Sequence, residues 1–200
     1  MSYASPNLIR YTRGNPIARA HIRRFQRVIG DRLAPFAPRS ILDAGCGEGF
    51  TLAALAARFP GVALTGIDAD EAAIAFARTH AGEATFSTAD LYALPFEDAS
   101  FDAVVCSEVL EHVAAPERAL AEVLRVAGRV AVVTVPHEPY FDALLWLGMR
   151  LGFSPDPGHV NHWTFRKFTR YIRAHTPLAR IETHSLYLVA TIPIVRAVPV

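Results

Sequence analysis

Between Ile41 and Phe50 the chain reads ILDAGCGEGF, an apolar strand-like start, a carboxylate at Asp43, and then Gly45, Gly47 and Gly49 separated by single residues. A glycine-rich turn after a strand opens the backbone to a ligand, and its spacing restricts which ligand. A dinucleotide fingerprint needs GxGxxG, which would put its third glycine where Phe50 stands. A P-loop needs GK[ST] after the glycines, and none follows. Pyrophosphate at a helix N-terminus favours positive surroundings, whereas this turn carries Asp43 and Glu48. Two carboxylates suit a cationic ligand better.

Further groups follow in order. GIDAD places Asp68 at a strand end, where an acidic residue accepts hydrogen bonds from both hydroxyls of a ribose. Asp90 follows a third strand and is placed to accept from an adenine amino group. A fourth strand opens into SEVLEH, with Ser107 and Glu108 at its end and Glu111 and His112 as second-rank candidates that equally suit helix-terminal capping. His137 and Glu138 in VPHEP, and His159 and His162 in GHVNHW, fall in two loops able to overhang a reacting centre. A histidine there takes a proton from a hydroxyl, amine or carbon acid, so His137, His159 and His162 are the catalytic candidates. The ordinary alternative is that they fix loops or bond one another. No short ligand motif such as HExxH occurs, so no metal is expected. Tyr11 and Trp163 are candidates for closing the pocket or for plain packing.

These groups need a scaffold. Asn15 and Pro16 open a helix expected over about 16 to 34, with Arg19, Arg23 and Arg27 on a face that reads as solvated. The strand-like runs SILDA, VALTGID, ATFS, FDAVVCS and GRVAVVTV alternate with the helical stretches TLAALAARF, DEAAIAFARTH and PERALAEVLRV. This alternation predicts a doubly wound α/β fold, a mostly parallel sheet with helices on both faces. PYFDALLWLGMRLG and TFRKFTRYIRAH read as two helices of a lid. LARIETHSLYLVATIPI supplies one or two final strands, with an antiparallel C-terminal edge but no clear turn signal between them. The expectation is one domain over 1–200: a helical cap over 1–35, a ligand-binding core over 36–135, a lid and substrate region over 136–176, and strands over 177–200.

Composition narrows the function classes. Twenty basic and 19 acidic residues leave a formal charge of +1, no global field for nucleic acid or an anionic membrane. The two cysteines, Cys46 and Cys106, lack metal or disulfide spacing and fit a reducing, cytoplasmic interior. No signal-peptide pattern opens the chain and no apolar run reaches the roughly 18 residues that span a bilayer, so no stable membrane insertion is expected.

LDAGCGEG, GIDAD, ADLYALPFEDASFD and SEVLEHV, in this order and spacing over about residues 40 to 135, resemble the class I S-adenosylmethionine-dependent methyltransferases, in particular the methyltransferase type 11 or ubiquinone-biosynthesis-type group. The resemblance implies a Rossmann-like core and S-adenosyl-L-methionine as cofactor. It implies that Asp43 and the Gly45 and Gly47 backbone face its methionine part, that Asp68 holds the ribose, and that Ala69 and Asp70 flank the adenine. It further implies that Asp90 and the Leu91 backbone meet the adenine amino group, and that Ser107 and Glu108 line the cofactor. The charge argument agrees, because this cofactor carries a sulfonium and an α-amino group and no phosphate. The asparagine-proline-proline-aromatic motif of base-amino methyltransferases is absent, and a small-molecule acceptor is expected. Phe141, Leu144, Leu145, Trp146, Leu147, Met149, Leu151 and Phe153 suit a hydrophobic one, although such residues are as readily core. Two rivals remain: a nicotinamide oxidoreductase, and a non-catalytic S-adenosylmethionine-binding sensor or partner subunit. The sequence leaves the acceptor, the methylated atom and the oligomeric state open, and is compatible with a homodimer.

Overall fold

The computed structural model describes residues 16–138, 140 and 158–196. Asn15, Tyr11, the PYFDALLWLGMRLG helix apart from Tyr140, and the apolar series from Phe141 to Phe153 lie outside the described residues.

Helix α1 (Pro16–Leu33) starts on a proline, whose fixed φ suits the first helical turn. It buries Ile22, Phe25, Ile29 and Leu33, a spacing of three and four that makes one stripe, and leaves Arg19, Arg23 and Arg27 in solvent. Strand β1 (Ser40–Ala44), helix α2 (Phe50–Arg58), strand β2 (Ala63–Asp68), helix α3 (Glu71–His80) and strand β3 (Thr85–Thr88) follow. Then come β4 (Phe101–Ser107), α4 (Pro116–Val126), β5 (Ala127–Pro136), α5 (Phe165–His175), β6 (Arg180–His184) and β7 (Tyr187–Pro193).

The seven strands form one sheet in the order β3-β2-β1-β4-β5-β7-β6. The first five are parallel, and β7 pairs antiparallel with both β5 and β6. Alternation along each central strand sorts side chains to the two faces. Leu42, Val104, Cys106, Ala131 and Val133 join Leu120, Val123, Phe168 and Ile172 of α4 and α5 in one core. Ile41, Ala103, Val105, Val130 and Val132 join Phe25, Ile29, Leu52, Leu55, Ile74 and Ala77 of α1, α2 and α3 in the other. Helices therefore cover both faces, the doubly wound arrangement expected from the βα alternation.

The final strands are a hairpin joined by Ser185 and Leu186, with Ser185 in the left-handed region at φ 56°. Serine occurs in turns of many kinds but does not mark the left-handed conformation, which glycine and asparagine favour, so the pair gives no specific hairpin signal. Helix α5, expected as part of a lid, buries Phe168 and Ile172 completely against the sheet beneath Trp163. Among the described residues no helix is long and apolar enough to cross a membrane.

Candidate active site

The strand order reverses direction at β1, which lies between β2 and β4, and the crevice at the carboxyl ends of these strands is where open α/β sheets take ligands. The glycine turn stands there. The N–H groups of Gly45 and Cys46 both donate to the Ile67 carbonyl at 2.8 and 2.9 Å, tying the turn to the end of β2. Gly45 adopts φ 86°, and a Cβ there would lie 2.5 Å from Val109 Cγ2, so the close approach of the SEVLEH loop requires glycine. Gly47 is different: at φ 50°, a Cβ would meet nothing within 4 Å, which leaves its backbone facing open space.

Asp43 sits beneath this turn, 2% exposed, and its Oδ1 has no hydrogen-bond partner. Burial, with the Asp68 carboxylate second, pushes its carboxyl up to about 7. Such an atom is costly unless something else satisfies it, and a cationic ligand does so. Asp68 organises the rim. Its Oδ2 accepts from the Gly47 N–H at 2.7 Å and its Oδ1 from the Asp70 N–H at 2.9 Å. Each oxygen retains acceptor capacity for a ribose hydroxyl. The cap of α3 is Asp70, which accepts from Ala72 and Ala73, so Asp68 is not spent on capping. Ala69 is exposed beside it. Asp90 is exposed, its Oδ1 accepting from the Tyr92 N–H at 2.8 Å, and Leu91 is half-buried between them.

On the far side of the crevice, Glu108 takes φ 57°, a conformation costing a non-glycine residue about 1–3 kcal/mol unless its surroundings enforce it. They do so through Thr134 of β5: the Glu108 N–H donates to the Thr134 carbonyl, Thr134 Oγ1 donates to Glu108 Oε1 at 2.9 Å, and the Ser107 and Thr134 hydroxyls are 3.0 Å apart. Nothing in the sequence singles out Thr134, because it is one polar residue in an apolar strand.

The histidines divide. His137 donates its N–H to the Leu186 carbonyl and packs its ring against Tyr140, and burial holds its imidazole below the usual range. His159 and His162 converge instead on Glu138, which is 4% exposed: His162 Nδ1 lies 2.9 Å from Oε2 and His159 Nδ1 3.7 Å from Oε1. The His159 loop is clamped to the turn after β4. The Val160 and Asn161 N–H groups donate to the Glu111 carbonyl, and Asn161 Nδ2 donates to the Leu110 and Val113 carbonyls at 3.0 and 2.7 Å. This clamp brings Glu111, His112 and His159 together, with one ligand-type atom from each within 4.8 Å of the others. The expectation of no metal rested on spacing within single motifs and is blind to a group assembled from two distant segments. Burial, then the nearby Glu108 and Glu138 carboxylates, raise the Glu111 carboxyl well above its ordinary range, and burial lowers the His112 imidazole. Asn161, like Thr134, is a residue that sequence reasoning missed, and an isolated asparagine in a loop carries no signal for such a clamp.

The strand order and the crevice at the carboxyl ends of the strands are those of a Rossmann-like, doubly wound α/β domain. Residues 42–131 match the model of the methyltransferase domain family. Among curated relatives, the ubiquinone biosynthesis O-methyltransferase of Pseudomonas paraeruginosa is 35% identical over 151 residues, covering 70% of this chain and 62% of that protein. The chain thus spans about three fifths of that relative's length. Among solved structures, the plantazolicin methyltransferase BpumL, in complex with a pentazolic desmethylPZN analog and SAH, matches with a TM-score of 0.73 at 18% identity, covering 96% of this chain and 90% of that one. The magnesium protoporphyrin IX methyltransferase of Synechocystis PCC 6803 with bound SAH matches with a TM-score of 0.68 at 18% identity, over 90% of this chain and 87% of that one. At these identities the two structures show the shared fold.

Proposed function

We propose that this chain transfers a methyl group from S-adenosylmethionine to a small-molecule acceptor, in the cytoplasm. The observation that carries the reading is the buried, unpartnered Asp43 oxygen under a turn whose Gly47 backbone is open. It fits a cationic, phosphate-free ligand, and Asp68 stands ready for its ribose. The names of the relatives support an oxygen acceptor, and the apolar series from Phe141 to Phe153 in the sequence supports a hydrophobic one. The two buried free cysteines, whose thiols burial pushes far up, support a reducing location.

Bound S-adenosylmethionine supplies a methyl group on a sulfonium that already activates it. The chain's residues position and exclude water. Asp43 and the glycine turn hold the methionine part, and Asp68, Ala69, Asp90 and Leu91 the adenosine. Ser107, fixed by Thr134, and Glu108 form the wall. His162, whose ring is oriented by Glu138 at 2.9 Å from its Nδ1, is the proton acceptor best placed among the three histidine candidates.

Calorimetric titration with S-adenosylmethionine, S-adenosylhomocysteine and a nicotinamide dinucleotide tests the reading. The expected result is binding of the two sulfur ligands only, weakened in Asp68→Ala. Dinucleotide binding without sulfur-ligand binding overturns it in favour of the oxidoreductase. Sulfur-ligand binding with no turnover across an acceptor screen points to the sensor or partner subunit.

A further inference from the structure

We propose that Glu111, His112 and His159 form a binding site for a divalent first-row transition-metal ion beside the cofactor crevice. One ligand-type atom from each lies within 4.8 Å of the other two, and Glu111 Oε1 is 3.9 Å from His112 Nε2. The His112 and His159 rings meet edge to face with centroids 5.0 Å apart. The Glu111 side chain is 1% exposed, and neither of its carboxylate oxygens has a hydrogen-bond partner. It is aimed at the two imidazoles and stands near Glu108 and Glu138, so three carboxylates share a largely water-excluded corner. A dication neutralises that arrangement, whereas histidine packing alone leaves both Glu111 oxygens unsatisfied.

Donor chemistry narrows the ion. Two imidazoles and one carboxylate suit zinc, manganese, iron or cobalt better than magnesium or calcium, which prefer all-oxygen sets. The other features of a metal centre are also here. Glu138 lies 3.7 Å from His159 Nδ1, the carboxylate-to-histidine pairing that orients a ligating ring, and Asn161 locks the His159 loop onto the Glu111 turn. Three protein ligands leave coordination positions open, as in catalytic rather than structural sites. The role of the site rests on the methyltransferase reading: an acceptor hydroxyl oxygen occupies an open position. Its O–H bond breaks with the proton passing to His162, and the freed electron pair forms the O–C bond as the C–S bond breaks, with no change of oxidation state.

The test uses the full chain stripped by chelator and titrated with Co²⁺ alone, monitored by visible absorbance, with Zn²⁺ competition. We expect about one equivalent of Co²⁺ with absorption in the visible range, displaced by Zn²⁺, and an affinity reduced about tenfold or more in His112→Ala and in Glu111→Gln. The His112 side chain is 41% exposed, and far-UV circular dichroism checks that its variant keeps the fold. Absence of saturable binding, or equal affinity in folded His112→Ala, overturns the proposal. A parallel titration with S-adenosylhomocysteine separates the two readings: ligand binding without metal binding sinks only the metal site, and metal binding without ligand binding sinks the methyltransferase reading and leaves the metal site standing.

Discussion

Acidification from about pH 8 to about pH 5 should weaken S-adenosylhomocysteine binding through a single carboxyl, that of Asp43. In the ligand-free chain burial and the neighbouring Asp68 charge keep this group protonated up to about pH 7. The α-ammonium group of the ligand pairs with the ionised form, so below that pH each bound ligand must displace a proton. The dissociation constant then rises about tenfold per pH unit below 7, or about 1.4 kcal/mol per unit, reaching about a hundredfold at pH 5. Isothermal titration in two buffers of different ionisation enthalpy reads the same event as proton release, close to one proton at about pH 6 and none above about pH 8. Asp43→Asn should bind more weakly at pH 8 and lose both dependences. A flat affinity with no buffer dependence in the wild-type chain would refute the reasoning. Stability carries the opposite sign. The folded-state value lies above the ordinary 3.8, so the stabilising proton is fully bound below about pH 4 and lost as pH rises through about 7. The ligand-free chain should therefore lose urea stability across that window, and Asp43→Asn should not.

Gly45→Ala should destabilise the chain by about 1–3 kcal/mol in urea unfolding, because alanine must adopt φ 86° against the Val109 methyl. Gly47→Ala, which meets no neighbour, should instead cost more in S-adenosylhomocysteine affinity than in stability. Asn161→Ala removes two hydrogen bonds to the Leu110 and Val113 carbonyls and should cost about 1–3 kcal/mol, with amide exchange in residues 158–163 accelerating first. Phe168→Ala empties a fully buried position under Trp163 and should cost about 3–5 kcal/mol, a loss that thermal unfolding would register as a lowered Tm.

The glycine turn and the strands that carry it were legible because their signals are local. Gly45 and Gly47 are demanded by backbone angles within one turn, and Asp43 and Asp68 stand at the ends of strands that their own apolar runs announce. The same locality made β1 to β5 and α1 to α4 readable. The β6–β7 turn was not, since Ser185 reaches a left-handed conformation that its residue type does not advertise. Thr134 gained its role only when β5 was laid beside β4, where its hydroxyl meets Ser107 and Glu108.

Composition, periodicity and the order of four short motifs determined the doubly wound fold and are the ground for the proposed ligand, because strand and helix periods and glycine geometry are properties of neighbouring residues. Tertiary structure alone decided where the histidines lie. It drew His159 and His162 to Glu138, set His137 against Tyr140, and joined His159 to Glu111 and His112 through Asn161. The physical reason is that a buried carboxylate is satisfied by whatever the folded chain brings within a few ångströms, and that proximity is set by sheet order and loop clamps, not by distance along the sequence.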